Sequence, residues 1–481
     1  MLRQWQIECS DKALQKYSSS QQHFFCQATP GAGKTVLAAT VASRLLQEDK
    51  IDLVLCFSPS LTVSSGIKKT FSLILNCTFN GGLGSIGRSL TYQSIQFLNE
   101  EFWLTLRNHR VFMVFDEIHH CSGTEIENAN IWGQQVLTKI QGLATYTLAM
   151  SGTPWRSDSL PIVLGEYSDP DGMLLVDYQY TLKQAIGDKV CRAPKIVLVD
   201  NEHLTVTNDE KMESFSSILE MIMQTKTSYQ SIIHNEDAME HLLGLGCKKL
   251  AEIRTLSPSA GGLVVAASVQ HAQTIKKVLS EKYAQSVSIV TYRHEEPLAE
   301  IERYRQSDTQ WIVSVGMISE GTDIPRLQVC CHMSSVKTEL YFRQVLGRIL
   351  RVNGATNQHA WLFTFAEQSL IEFAERIEQD IPESCIYARW ERFVEVEPDT
   401  KRNRLSEKGL LEEREELSSK LVWNGTTSST ESIDSSLGAF DELRLGAFRQ
   451  RVISAFLTVS SVKNEHFDLV HSSQTKKIPM R

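Results

Sequence analysis

Ala28-Thr29-Pro30-Gly31-Ala32-Gly33-Lys34-Thr35 is the stretch on which the reading of this chain turns. It follows the apolar run His23-Phe24-Phe25-Cys26 and opens a helical pattern from Val36 to Leu46. Strand, glycine-rich turn and helix form the context in which such a loop wraps phosphate. Gly31, Ala32 and Gly33 let successive backbone N–H groups converge on anionic oxygens, the glycines doing so without a Cβ clash. The helix N-terminus adds its positive dipole end. Lys34 is then placed to reach the β- and γ-phosphates of a nucleotide, and Thr35 to offer its hydroxyl to Mg²⁺. ATP and Mg²⁺ are the expected cofactors.

A second signal lies further along. Val111-Phe112-Met113-Val114-Phe115 is continuously apolar, as a parallel strand buried on both faces requires. It ends in Asp116-Glu117-Ile118-His119. An acidic pair at the C-terminal end of such a strand sits where open α/β sheets bind ligands. Asp116 is assigned to Mg²⁺ with Thr35, and Glu117 to the attacking water.

These residues resemble a superfamily two helicase, and further signatures follow in order. Leu2-Arg3-Gln4-Trp5-Gln6 resembles the entry motif in which a glutamine, here Gln6, reads adenine. Leu53 to Ser60 and Thr91-Tyr92-Gln93-Ser94 resemble nucleic-acid-contact motifs, which implies contacts from Ser58, Pro59, Thr91 and Gln93. Ser151-Gly152-Thr153-Pro154-Trp155-Arg156 resembles the coupling motif, which assigns coupling to Ser151 and Thr153, with His119 joining them from the acidic box. Gly316 to Pro325 resembles the fifth motif, which links Gly321 and Asp323 to the nucleotide. Gln344-Val345-Leu346-Gly347-Arg348-Ile349-Leu350-Arg351 resembles the sixth, implying catalytic roles for Gln344 and for the arginine fingers Arg348 and Arg351. The resemblance covers roughly residues 1–370. DEIH in place of DEAD, and Ser-Gly-Thr in place of Ser-Ala-Thr, point away from the DEAD-box RNA remodellers. They point toward the motor subunits of type III restriction enzymes and the related DNA repair helicases. Tyr180 to Ile186 with Pro194 is similar to a segment that leaves the first motor domain in that branch.

The implied fold is α/β: two tandem RecA-like domains with parallel sheets. The first is expected over residues 1–200, and a helical connector over 201–258, built from Met212 to Gln224, Tyr229 to His241 and Leu250 to Leu256. The second domain is expected over 259–380, and a small, mostly helical accessory region over 381–481 with a flexible linker near 424–436. Length and a 42% hydrophobic content suit two or three domains. No apolar stretch reaches the length of a membrane span, and the entry motif stands at the N-terminus without a signal peptide, so a cytoplasmic protein is expected. The ten cysteines include no CxxC, which argues against zinc or iron–sulfur modules, and His119-His120-Cys121 is read as part of the acidic box rather than a metal site. A net charge of −8 weighs against bulk electrostatic coating of nucleic acid but leaves room for local contacts, such as Lys68, Lys69 and Arg88. The expected partner is nucleic acid, DNA before RNA, with a protein partner on 381–481 as a further expectation. Three readings stay open: a stand-alone ATP-dependent DNA helicase or translocase, the motor subunit of a restriction, defence or repair complex, and an ATP-gated nucleic-acid clamp or RNA helicase.

Overall fold

The computed structural model describes residues 2–123, 129–140, 142–154, 160–169, 171–208, 211–293, 296–316, 318, 322–354, 359–382, 384–390 and 420–423. The expected accessory helix and the linker near 424–436 lie outside the described residues.

The first domain runs α1 (Gln4–Ser18), β1 (His23–Ala28), α2 (Lys34–Gln47), β2 (Leu53–Ser58), α3 (Leu61–Ile74), β3 (Gly87–Thr91), α4 (Glu100–Arg107), β4 (Val111–Asp116), α5 (Ile131–Gln135) and β5 (Tyr146–Ser151). A small hairpin, β6 (Glu166–Tyr167) and β7 (Leu174–Leu175), precedes β8 (Tyr178–Tyr180) and α6 (Leu182–Gly187). The main sheet has the order β3-β2-β4-β5-β1-β8, with every pairing parallel. Its strands are apolar on both faces because both are covered. Phe24, Cys56, Val114 and Leu148 pack toward α1 and α2, while Phe25, Phe57, Met113 and Ala149 join Trp103 and Leu106 of α4 on the other side. The strands carrying the glycine-rich loop and the acidic pair, β1 and β4, flank β5. Lys34, Glu117 and Ser151 therefore emerge together at one edge.

The second sheet uses β9 (Ala193–Asn201), β12 (Gly261–Ala266), β13 (Val287–Thr291), β14 (Trp311–Val315), β15 (Leu327–Met333), β16 (His359–Phe365) and β17 (Cys385–Trp390). Its order is β13-β14-β12-β15-β16-β9-β17, again all parallel. The fold thus consists of tandem RecA-like α/β sheets. A boundary at residue 200 differs from this arrangement, because β9 pairs with β16 and β17. Ile196 to Val199 are buried on both faces, and the first sheet already ends on β8, so an inner position of the second sheet is where this apolar run is covered.

The connector is not wholly helical. β10 (Leu204–Asn208) and β11 (Lys211–Phe215) pair antiparallel, and β18 (Lys420–Trp423) adds to β10. The β-branched Thr205, Val206 and Thr207 favour this strand, and the helix expected from Met212 begins only at Ile218, where Ser217 caps α7 (Ile218–Gln224). α8 (Tyr229–Ile233) then gives way to the long α9 (Glu236–Leu256), capped by Asn235. The remaining helices are α10 (Val269–Glu281), α11 (Pro297–Gln306), α12 (Glu339–Ile349) and α13 (Gln368–Asp380). The cysteines are free thiols, all but Cys77 buried. Among the described residues, no helix is long and apolar enough to cross a membrane.

Trp311 is fully buried, and a Cβ at Gly262 would lie 2.4 Å from its ring. Gly262→Ala should therefore overpack the second sheet and destabilise the protein by about 1–3 kcal/mol. Urea unfolding would show this as a lower midpoint with an unchanged slope.

Candidate active site

The glycine-rich loop takes the backbone its sequence allows. Gly31 and Gly33 have φ of +83° and +94°, and Gly33 is the N-cap of α2, a conformation costly for any residue with a Cβ. The loop is held from behind by α1. Gln6 Nε2 donates to the Gly33 carbonyl at 2.9 Å, and Gln6 Oε1 accepts from the Arg3 N–H at 2.9 Å. Arg3 Nη1 donates to the Ala32 carbonyl at 2.5 Å. Arg3 was not among the residues singled out from the sequence. Its place beside Gln6 in the entry motif was the available signal.

Lys34 opens α2 and is buried. Its Nζ lies 3.0 Å from Glu117 Oε1 and donates to the Ala28 carbonyl at 3.3 Å. Glu117 sits at φ +51°, which for a side-chain-bearing residue costs roughly 1–2 kcal/mol and turns its carboxylate back toward the loop. Glu117 Oε2 accepts from the Gly152 N–H at 3.3 Å. Desolvation works against its ionisation, but the charges of Lys34 and His119, with the hydrogen bonds from Lys34 and Gly152, outweigh it and hold the carboxyl down at about 2. His119 is buried, with Nδ1 2.9 Å from Ser151 Oγ and 3.5 Å from Glu117 Oε2. Ser151 Oγ also accepts from the Thr153 N–H at 3.1 Å. The three residues assigned to coupling therefore form a chain of contacts to Glu117. Asp116 is 6% exposed, and its carbonyl accepts from the Tyr92 hydroxyl at 2.9 Å.

The second domain closes the site. Gly347 of α12 faces the loop so tightly that a Cβ there would stand 2.6 Å from Pro30 Cβ. Gln344 and Arg348 share one face of α12, and Arg351 follows just beyond its end. Arg351 passes over the loop, its Cγ 3.3 Å from where a Gly31 Cβ would be, and forms an ion pair with Asp323. Arg348 Nη1 donates to the Thr322 carbonyl at 2.9 Å. All three line one cleft of about 530 Å³ together with Lys34, Thr35, Asp116 and Glu117, a volume in the range of small-ligand sites. Asp116 and Thr35 bring a carboxylate and a hydroxyl, hard oxygen donors of the kind Mg²⁺ takes, so the donor set fits that ion.

Other expected residues are placed differently. Ser58 is fully buried and its hydroxyl donates to the Ser60 and Leu90 carbonyls at 3.3 and 3.4 Å. Thr91, its register partner on β3, is also buried. Neither residue is exposed to solvent beyond a few per cent. Gln93 is exposed, and Pro59 lies at the margin of the same cleft. Gly321 lies outside the described residues.

Residues 1–156 match the family model "Type III restriction enzyme, res subunit", and residues 247–353 match "Helicase conserved C-terminal domain". In these two regions the chain is similar to the Res subunit and to helicases. It is 29% identical over 392 residues to an uncharacterized protein of Mycobacterium leprae, covering 78% of this chain and 64% of that protein. It therefore spans less than two thirds of that relative's length. It is 22% identical over 354 residues to the "DNA 3'-5' translocase XPB2" of Sulfurisphaera tokodaii, covering 67% of this chain and 73% of that one. Among solved structures, the fragment of a type I restriction enzyme HsdR subunit from Vibrio vulnificus YJ016 shares the fold, with a TM-score of 0.55, 17% identity and coverage of 80% and 68%. The DNA-bound type ISP restriction-modification enzyme LlaBIII shares it with a TM-score of 0.53 and 14% identity, over 81% of this chain and 31% of that one. The two matched regions are thus similar to a restriction-enzyme subunit and a helicase domain, and the fold is shared with restriction-enzyme structures.

Because the folded-state carboxyl of Glu117 lies below its unfolded value, its stabilising effect is complete above the unfolded value and is lost as pH falls toward about 2. The stability difference between wild type and Glu117→Gln should therefore be constant from neutral pH down to about pH 6 and smaller near pH 4. Urea midpoints across that range check it.

Proposed function

We propose that this chain is an ATP-dependent DNA translocase that couples hydrolysis in the inter-domain cleft to movement along nucleic acid. One observation carries the reading: the phosphate loop and acidic pair of one domain share a single cleft with Gln344, Arg348 and Arg351 of the other. In this reading Gln6 holds the loop and meets the base, while Gly31, Ala32, Gly33 and Lys34 cradle the phosphates. Thr35 and Asp116 would hold Mg²⁺, which supplies charge neutralisation at the phosphates when bound. Glu117 orients water, and Arg348 and Arg351 stabilise charge spreading over the transferred group, an effect worth about 10³–10⁵ in rate. Since Lys34 and Arg351 belong to different domains, turnover requires closure, and release of closure shifts the two nucleic-acid surfaces. His119, Ser151 and Thr153 relay the state of Glu117, and Asp323, with Gly321, links the fifth motif to the nucleotide. Gln93, Ser58, Pro59 and Thr91 mark the nucleic-acid edge of the first domain, with Ser58 and Thr91 acting through the backbone they hold. DNA is favoured by the likeness to the Sulfurisphaera DNA 3'-5' translocase. A cytoplasmic setting accompanies a substrate of ATP and DNA.

A second reading, the motor subunit of a larger restriction, defence or repair complex, is favoured by the match of residues 1–156 to the Res subunit. A protein partner would then dock through residues 381–481.

The test is the ATPase rate without nucleic acid and with single-stranded, duplex and forked DNA or RNA. Glu117→Gln should retain ATP binding but lose about 10²–10⁴ in turnover, and Lys34→Ala should weaken binding or turnover. Stimulation by duplex or forked DNA supports translocation. Stimulation by RNA alone replaces DNA with RNA, and basal activity without stimulation moves the motor-subunit reading to first place. A fully active Glu117→Gln removes Glu117 as the base.

A further inference from the structure

Arg192 is fully buried between the exit from the first domain and the start of β9. Its Nη1 donates to the carbonyls of Leu327 at 3.0 Å and of Pro325 and Ile349 at 3.3 Å. Nη2 donates to the Pro325 carbonyl at 3.3 Å and to Asn353 Oδ1 at 2.6 Å. Its backbone N–H donates to the Leu350 carbonyl at 2.7 Å. Among the described residues no carboxylate pairs with this guanidinium, and burial lowers its pKa from 12.5 to about 10. A charge buried without a counter-ion is costly, and an apolar chain of similar length would fill the space at lower cost. What only the guanidinium supplies is a fork of donors in fixed geometry.

The acceptors share one property, their position. The Ile349 and Leu350 carbonyls belong to the C-terminal end of α12, where helix carbonyls lack intrahelical partners and attract positive charge. The next residue is Arg351. Pro325 and Leu327 follow Asp323, the ion-pair partner of Arg351. A single guanidinium therefore ties together the two backbone segments from which that pair projects. The neighbours of Arg192 reach the other way. Cys191 bridges to Arg351 through the backbone, and its Sγ lies 3.7 Å from the Pro30 carbonyl, while Val190 lines the nucleotide cleft.

We propose that Arg192 is the positioning residue of the arginine finger: by capping the end of α12 and holding the Pro325–Leu327 backbone, it sets where Arg351 crosses the phosphate loop. This rests on the hydrolysis reading above. Arg192 does not line the cleft, and its effect passes wholly through Arg351.

The test compares Arg192→Lys, which keeps the charge but loses the fork, with Arg351→Ala and with the double variant. Arg192→Lys should lower kcat by on the order of 10–100-fold, the scale of a small misplacement of a catalytic group. Its affinity for a fluorescent ATP analogue should stay within about threefold of wild type. In the Arg351→Ala background the same substitution should cost nothing further, because the group it positions is gone. A purely structural role would instead lower kcat by the same factor in both backgrounds. If Arg192→Lys fails to fold, Asn353→Ala, which removes one acceptor of the fork, is read the same way. Wild-type kcat, or losses that add to that of Arg351→Ala, overturns the proposal. A wild-type chain no faster than Lys34→Ala shows that the hydrolysis reading has failed, and the proposal falls with it.

Discussion

The constraint on which the site depends is the approach of α12 to the phosphate loop. Gly347 faces Pro30 with no room for a methyl group, and Gly152 faces Pro30 and Lys34 from the other side, where a Cβ would stand 2.9 Å from Pro30 Cδ and 3.1 Å from Lys34 Nζ. Three segments distant in sequence therefore meet at one proline. Because interiors pack without spare volume, a side chain at either glycine would hold two of them apart. The spacing of Gln344, Arg348 and Arg351 has catalytic meaning only because Gly347 lets their helix come this near.

Within that contact the charges are arranged economically. Lys34 is buried, and a buried ammonium requires a partner; Glu117 supplies it, turned inward by its left-handed backbone. The same carboxylate accepts from Gly152 and neighbours His119, which meets Ser151. One ion pair thus joins the strand ends of β1, β4 and β5. The second domain repeats the device, with Arg351 on Asp323 and the Arg192 guanidinium fastening the backbone beneath both.

Much of this was legible in the sequence because it depends on short local patterns. The loop glycines, the apolar run before Asp116 and the spacing from Gln344 to Arg351 each report a backbone requirement, and Gly31, Gly33, Asp116, Gln344, Arg348 and Arg351 line the same cleft. Positions set by long-range packing were not legible. Ile196 to Val199 read as a buried strand in any sheet, and only the coverage of its faces assigns it to the second. Ser58 and Thr91 occupy motif positions, yet both are buried, and the Ser58 hydroxyl turns to nearby carbonyls. Arg192 carries no local pattern, since its acceptors come from two segments far from it in sequence.

The Lys34–Glu117 pair also bears on the order of events. A carboxylate held at about 2 by an adjacent ammonium is a poor base while that partner remains. Phosphate oxygens entering the cradle compete with Glu117 for Lys34. In the proposed reading, binding of ATP therefore weakens the contact that keeps Glu117 inert and leaves it held by Gly152 and beside His119. The base gains basicity when the substrate is in place, and the residues that sense the change are those on the coupling strand. A Lys34 that faced solvent could not do this, because an exposed pair is screened and exchanges little energy. Burial of the pair is what lets the arrival of phosphate be felt at Ser151.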